Sequence, residues 1–132
     1  MQEVLRIDVV LDRIETVQGA GGEVTMILFH GNFSCELGSG KVLPGGVDTQ
    51  TQRWGEDKSL SARYILEGKD QNQRPFRIFV ENNGICKEGG VLKTCPVIYT
   101  DAEELQWMEQ EKMSGIVEGS GENKVRIRIY RG

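Results

Sequence analysis

The sequence has few of the residues that most metal and nucleophilic centres use. It contains one histidine, His30, which excludes a multi-histidine metal centre. Cys35 lies five residues further on, a spacing that does not put the two side chains on one face of a strand, so a Cys–His nucleophile is disfavoured. The three cysteines, Cys35, Cys86 and Cys95, form no Cys-x-x-Cys pair. We therefore expect small buried or loop thiols, with no metal site and no cofactor.

Positive charge and long apolar runs are also scarce. The chain has 16 Lys and Arg against 20 Asp and Glu, a net charge of −4, which argues against a surface built for nucleic acid. Its longest apolar run is too short to span a bilayer. Residues 1–15 carry acids through their apolar stretch, unlike a secretory signal peptide. We expect a cytoplasmic protein with reduced thiols and with neither a membrane nor a nucleic-acid partner.

Proline is rare and glycine is common, at 3 and 17 residues of 132. The length is typical of one domain, residues 1–132. The glycines cluster at 19–22, 38–40, 45–46, 84, 89–90 and 119–121, which predicts tight turns between strands. The Lys41 that follows Gly38-Ser39-Gly40 lacks the flanking residues of a phosphate-binding loop, so these glycines are also assigned to turns.

Apolar residues alternate with polar ones through most of the chain, which is typical of half-buried strands. The pattern predicts eight or nine short strands, at about 5–11, 24–30, 33–43, 49–54, 60–67, 76–80, 97–100, 112–118 and 125–130. One short helix is predicted over 102–110, with Asp101 and Glu104 as a capping box. The absence of any βαβ rhythm predicts an all-β chain folded as a small antiparallel β-barrel, which at about eight strands holds one small ligand.

Polar residues gather on strands that should form the barrel wall. Asp48, Gln50 and Gln52 share one face of a strand with little apolar content, which predicts either an edge strand or the wall of a wet cavity. An Asp48–Arg63 ion pair would lower the pKa of Asp48 and could either lock the barrel or position a ligand. Convergent polar groups with aromatic walls are typical of small-ligand pockets, and the candidate ligand-binding residues are Asp48, Gln50, Trp54, Arg63, Tyr64, Asn82 and Trp107.

Several of these residues belong to longer motifs that resemble a known family. The motifs are Gly31-Asn32-Phe33, the run from Gly40 to Asp48 with its Pro-Gly-Gly-x-Asp sequence, Ala62-Arg63-Tyr64, Thr94-Cys95-Pro96 and Trp107-Met108. Together they resemble the bacterial and fungal family of uncharacterised proteins called domain of unknown function three-two-three-seven, or uncharacterised protein family three-one-one. The resemblance covers nearly the whole chain. It implies a small calycin-like β-barrel with a central cavity, and it brings no catalytic residues.

Three functions from different classes remain open at this stage. The first is a barrel that binds a small, partly apolar molecule. The second is an isomerase or cyclase that uses one acid or base in the cavity, with Asp48 or Tyr64 as the candidate. The third is a structural protein whose barrel builds a homo-oligomer. An open cavity that holds Asp48 and Arg63 favours the first two, whereas a cavity filled by Leu, Ile and Phe side chains favours the third. Between binding and catalysis, a raised carboxyl pKa inside the cavity favours catalysis.

Overall fold

The computed structural model describes residues 2–87 and 92–132. Helical structure in these residues lies between β7 and β8, as a 3₁₀ turn (Glu103–Leu105) and one turn of helix, α1 (Trp107–Gln110). The described residues otherwise form nine antiparallel strands, which are β1 (Gln2–Gln18), β2 (Gly22–Cys35), β3 (Gly38–Val42), β4 (Val47–Arg53), β5 (Lys58–Asp70), β6 (Pro75–Cys86), β7 (Leu92–Thr100), β8 (Met113–Gly121) and β9 (Lys124–Arg131).

The strands form one sheet that closes on itself. Going round the sheet, the order is β2, β1, β9, β8, β7, β6 and β5, and the gap between β5 and β2 is filled by both β3 and β4. β3 pairs with residues 32–34 of β2, whereas β4 pairs with residues 22–28 of the same strand. β3 and β4 therefore share one position in the wall, end to end. The predicted antiparallel barrel is confirmed.

One end of the barrel interior is filled by apolar side chains, and we call it the packed half. Alternation directs these side chains inward from every wall, and the helical segment closes the end with Leu105 and Met108. Phe33 and Phe76 meet edge to face inside it, with ring centroids 6.0 Å apart. The innermost side chains have no exposed surface, and they are Leu5, Ile7, Leu66, Ile78, Val80 and Ile129.

Several predicted glycine turns are strand residues instead. Residues 38–40 belong to β3, Gly84 to β6 and residues 119–121 to β8, while the pair at 89–90 lies outside the described residues. Gly40 shows the physical reason, because it pairs with Gly68 and a Cβ there would collide with the β5 backbone. This glycine allows two backbones to approach closely within the wall and does not reverse the chain.

The short helical segment predicted over 102–110 is confirmed at 103–105 and 107–110, but its predicted cap is wrong. The helical segment is interrupted at Gln106, and no side chain caps either short piece. Asp101, the predicted cap, instead accepts a hydrogen bond from the backbone N–H of Arg77, with N and Oδ1 2.8 Å apart. The β6 backbone competes successfully for this carboxylate, which ties the segment to the wall of the barrel.

Candidate functional site

The other end of the interior carries polar side chains from four neighbouring strands, and we call it the polar half. It is defined by Asp48 on β4, Tyr64 on β5, Asn82 on β6 and Thr94 on β7. In register, Ala62 of β5 lies between Asp48 and Asn82. Ala62 is buried on the same face of β5 as Tyr64, so the register places all of these side chains on the inner face of the wall.

Each of these four residues has a buried oxygen atom without a hydrogen-bond partner. The atoms are Asp48 Oδ1, Tyr64 OH, Asn82 Oδ1 and Thr94 Oγ1, and no partner lies among the described residues. Asn82 and Thr94 are only 1% and 3% exposed. A buried polar group without a partner costs about 1–3 kcal/mol. Several of them on one patch of wall are a cost to stability, which points to a role outside folding.

Small residues stand beside these oxygen atoms and allow them to pack closely. Gly115 of β8 pairs with Thr94, and a Cβ added to it would overlap Thr94 Oγ1 and lie 3.4 Å from Asn82 Oδ1. The hydroxyl of Thr94 and the amide of Asn82 thus converge on one point beside Gly115. Ala62 is the small residue on the other side of Asn82. The polar half is thus a closely packed patch of polar and small side chains.

Burial controls the electrostatics of this region. It raises the pKa of Asp48, and the hydrogen bond from Gln50 Nε2 to Asp48 Oδ2, at 2.9 Å, acts in the opposite direction. Burial also raises the pKa of Tyr64, and the charge of Asp48 raises it further, so Tyr64 is a neutral phenol. The effect of Asp48 on Tyr64 places the carboxyl and phenol groups in one electrostatic environment. That pairing suits proton donation or hydrogen bonding to a bound molecule.

A cavity of about 710 Å³ lies further along these strands, beyond Asp48 and Asn82, and we call it the vestibule. Gln52 continues the inward face of β4 beyond Asp48 and Gln50. Lys58 and Cys86 pair across β5 and β6 at the same level. Burial raises the pKa of Cys86, the charge of Asp48 also raises it, and Lys58 lowers it. The vestibule is lined by Gln52, Asp57, Lys58, Cys86 and Lys87.

The structure brings Asp48, Gln50, Tyr64 and Asn82 together, as the sequence predicts, but not Arg63. Its guanidinium is exposed on the outer face, with Nε 3.2 Å from Glu81 Oε2. The predicted Asp48–Arg63 ion pair is therefore wrong. Arg63 and Tyr64 are consecutive residues of one strand, so their side chains point to opposite faces and only one of them can line the interior.

The two tryptophans also lie apart from the polar half and from each other. Trp54 is half-exposed in the turn after β4, where its Nε1 donates to the carbonyl of Gly19 at 3.3 Å. Trp107 lies in α1 at the packed end, with the Arg131 guanidinium 4.5 Å from its ring centroid. Trp54 is thus at the rim of the open end, whereas Trp107 covers the closed end. Neither forms an aromatic wall beside Asp48.

Thr94 and Gly115 were not among the candidate ligand-binding residues, although Thr94 lies in one of the family motifs. The predicted strand at 97–100 is the last part of β7, which starts at Leu92. The alternation of Thr94, Pro96 and Ile98 was the available signal, because Thr94 shares the inward face of Ile98. Gly115 lies inside a strand pattern, and a glycine there is a sign of close approach.

A broad groove lies on the outer face of the wall. It has a volume of about 980 Å³ and crosses the outward faces of β4 to β7. We call it the outer groove. Arg63 lines it, so this predicted residue belongs to a different surface from Asp48. Its other lining residues include Val47, Thr49, Ser61, Ile85 and Lys93.

Two further searches cover the part of the chain that the structure describes. No group of three or more His, Cys, Asp or Glu side chains is placed there to hold a metal ion. None of its helices combines the length and apolar character that a membrane span requires.

Comparisons with known proteins place the chain among uncharacterised barrels. A family model described as "Protein of unknown function (DUF3237)" matches residues 1–132. A UPF0311 protein of Clostridium acetobutylicum is 33% identical over 104 residues, which cover 76% of this chain and 59% of the relative. The chain thus spans about three fifths of the length of that curated relative.

Solved structures share the fold over almost the full chain. A protein with unknown function from Clostridium acetobutylicum has a TM-score of 0.81 at 26% identity, covering 98% of this chain and 96% of the other. A β-barrel-like protein from Acinetobacter baumannii has a TM-score of 0.75 at 15% identity, covering 98% and 93%. An enzyme from Penicillium herquei has a TM-score of 0.70 at 12% identity, covering 98% and 92%.

Proposed function

This chain belongs to the DUF3237 family, and we propose that it binds a small, partly apolar molecule in the polar half of its barrel. The family match confirms the resemblance read from the sequence motifs. The family description supplies no activity, so the proposal rests on the site. The observation that carries it is the group of four buried oxygen atoms, from four neighbouring strands, that have no partner among the described residues.

The composition of the polar half supports a partly apolar ligand. Leu60 and Ala62 are both 6% exposed and border the polar side chains on the inner face of β5. Contact with such a surface contributes about 25 cal/mol for each Å² of apolar area removed from water. The oxygen atoms then fix the orientation of the ligand, as a few polar groups do in most small-molecule sites.

A thermal-shift screen of small metabolites tests the proposal with three proteins. These are the wild type, Asp48→Asn in the polar half, and Glu81→Gln, which loses an acid on the outer face beside Arg63. A ligand present at a hundred times its Kd stabilises a protein by about 2.7 kcal/mol. We expect a ligand that stabilises the wild type and Glu81→Gln but has a much smaller effect on Asp48→Asn. The proposal fails if no compound stabilises the wild type, or if Asp48→Asn responds equally.

A second candidate function is general acid–base catalysis of an isomerisation or ring closure. The raised pKa of Asp48 is the observation that favours it, because a carboxyl group that holds its proton nearer to neutral pH can both take and return one. In such a reaction Asp48 removes a proton from one atom of the ligand and returns it to another, with no net oxidation. The neutral phenol of Tyr64 donates a hydrogen bond to the developing oxyanion. The solved enzyme from Penicillium herquei shares the fold only.

Turnover of a ligand found in the screen separates binding from catalysis. The compound is incubated with the wild type, Asp48→Asn and Glu81→Gln, and products of unchanged mass are followed by NMR. If Asp48 is the acid or base, we expect conversion by the wild type and Glu81→Gln and a loss of about 10²–10⁴-fold in Asp48→Asn. Recovery of the unchanged ligand from all three proteins identifies a binding protein. Equal conversion by all three excludes Asp48 from the chemistry.

A further inference from the structure

We infer that the outer groove is a second binding site, which takes an organic anion with an apolar body. This site lies on the opposite face of the wall from the polar half, so it goes beyond the proposed function and does not depend on it. The groove has a volume of about 980 Å³, within the range of small-molecule sites. Three of its features point to this class of ligand, which are the small side chains of its floor, the charge of its lining, and the apolar surface beside that charge.

The floor of the outer groove is a row of small side chains. The row lies in register across β4, β5, β6 and β7 and consists of Thr49, Ser61, Asn83 and Cys95. Larger side chains stand on both sides of it, because residues two positions away along a strand point to the same face. Val47 and Arg63 form one side, and Ile85 and Lys93 form the other. The groove is therefore a depression built into the outer wall.

The lining of the outer groove is positively charged. Its charged members are Arg63, Lys87 and Lys93, and no acid is among the described residues that line it. Arg63 pairs with Glu81, whereas the two exposed lysines form no ion pair with a described residue. The whole chain has a net charge of −4, so this positive charge is a local feature. Lys87 directly follows β6 and Lys93 is on neighbouring β7, so both ammonium groups can contact one anionic group.

Apolar surface lies next to these lysines. Ile85 is 53% exposed and stands two residues before Lys87 on the outward face. Val47 lines the far side of the groove. By register, Ile85 and Val47 are two strands and four residues apart, which is about 10 Å across the strands and about 14 Å along them. An anion held by the two lysines can thus extend an apolar body over the floor towards Val47.

The charge of the lining also argues against a second copy of the chain as the occupant. A two-fold interface places one patch against the same patch of the other copy. Through this groove, it would bring the cations of both copies together, with no acid among the described lining residues of either copy. A small organic anion avoids that repulsion and supplies the missing negative charge.

Three probes of related structure test the ligand class. Decanoate has an anionic group and an apolar chain, decyltrimethylammonium keeps the chain with the opposite charge, and acetate keeps the charge without the chain. Isothermal titration calorimetry, below the concentrations at which micelles form, measures their affinities. We expect decanoate to bind about tenfold more tightly than either of the other two. Equal affinities for the two decyl compounds would overturn the inference, because the lysines would then play no part.

Alkylation of Cys95 locates the bound probe. This thiol is exposed on the floor of the groove, whereas the Cys86 thiol is half-buried at the vestibule. We expect saturating decanoate to slow the reaction of Cys95 with iodoacetamide severalfold, as measured by mass spectrometry, and to leave the rate at Cys86 unchanged. Protection of Cys86 alone, or of neither thiol, would show that decanoate does not occupy the outer groove and would overturn the inference.

Lysine variants connect the binding to the charge of the groove. Lys93→Gln and Lys87→Gln each remove a cation from the lining, and Lys112→Gln removes an exposed lysine elsewhere with the same change in net charge. We expect each of the first two to weaken decanoate binding about fivefold, and Lys112→Gln to leave it unchanged. All three are surface replacements, so the fold should tolerate them. Equal affinities for Lys93→Gln and Lys112→Gln would contradict the inference.

Two further measurements separate this site from the polar half and from an interface. Asp48→Asn changes the inner face of the wall, so we expect it to bind decanoate as the wild type does. If Asp48→Asn weakens binding and Lys93→Gln does not, decanoate binds the polar half, which overturns the inference and supports the proposed function. If light scattering shows a dimer and decanoate neither binds nor protects Cys95, the groove is an interface between copies and the inference is overturned.

Discussion

The packed half and the polar half share β5 and β6, which contribute to each at different positions along their length. β6 contributes Ile78 and Val80 to the packed half and, two residues further on, Asn82 to the polar half. β5 does the same with Leu66 and Ala62. Apolar packing and unpartnered polar groups are thus at opposite ends of these two strands. A binding surface gains rigidity when the strands that carry it are fixed by an adjacent apolar core.

Truncation of a side chain in the packed half is expected to change the free energy of unfolding more than any change in the polar half. Ile78 has no exposed surface, so Ile78→Ala removes buried methyl groups and leaves a cavity. We expect the free energy of unfolding to fall by about 2–5 kcal/mol, measured by urea denaturation. Ile65→Ala, at an outward position that is 38% exposed, is the matched control with a loss of less than half that size. Equal losses in the two variants would show that the inward side chain contributes no more to stability than the outward one.

An apolar replacement in the polar half should stabilise the protein, whereas truncation in the packed half destabilises it. Asn82 is buried and its amide oxygen has no partner among the described residues, so its desolvation is not compensated there. We expect Asn82→Leu, a change of similar volume, to raise the free energy of unfolding by about 1 kcal/mol. Urea denaturation of wild type and variant at one pH measures it. A loss of stability would show that Asn82 supports folding.

A smaller difference between the two halves is expected in the pH dependence of stability, because the polar half contains the buried carboxyl group of Asp48. Burial raises the pKa of Asp48 in the folded protein above its value in the unfolded chain. The folded state therefore binds the proton more tightly, and its stability falls as pH rises through the folded-state pKa. Relative to Asp48→Asn, we expect the wild type to lose stability from about pH 4 upward, where carboxyl groups ordinarily titrate. Urea midpoints at a series of pH values measure this difference.

The matched control for this pH dependence is Glu81→Gln, which removes an outward carboxyl group in an ion pair. We expect its stability relative to the wild type not to improve as pH rises. If the wild type and Asp48→Asn keep a constant difference in stability across the same pH range, Asp48 is not held in a desolvated site.

Loss of the outer ion pair has the smallest expected effect. The Arg63 side chain is 65% exposed, so its pairing with Glu81 is screened by water and salt. We expect Arg63→Ala to change the free energy of unfolding by less than about 0.5 kcal/mol and to leave ligand binding in the polar half unchanged. Thermal unfolding with and without ligand checks both. A loss of binding would indicate that the ligand binds in the outer groove, which Arg63 lines, and not in the polar half.

Local pattern was enough to predict most strands but not their ends. The alternation in residues 60–67, 76–80 and 125–130 is strict because one face of each strand is buried, and β5, β6 and β9 contain these residues. The strand ends were misjudged at Gly40 and Gly84, where glycine allows close packing of neighbouring chains. Such contacts depend on residues distant in sequence, so a glycine in a wall and a glycine in a turn look alike.

The same limit applies to the candidate site. Asp48 and Gln50 were identifiable because polar side chains recur on one face of a strand, and the register places that face inward. Arg63 was misplaced because an attractive charge pairing was preferred over the alternation that separates it from Tyr64. Thr94 was missed because β7 begins well before its β-branched end. Which polar atoms lack partners is a property of the closed barrel and is invisible in any one segment.

The shared wall position of β3 and β4 has a consequence for how the barrel can be altered. β4 has only 7 residues, from Val47 to Arg53, and it is bounded by turns, whereas β2 and β5 run continuously past it with 14 and 13 residues. Its inward residues, Asp48, Gln50 and Gln52, line the open end, while the packed half is held by the longer strands. The inward side chains of β4 can therefore be changed without altering the packed half. Randomising these three positions is the direct route to new ligand preferences on an intact scaffold.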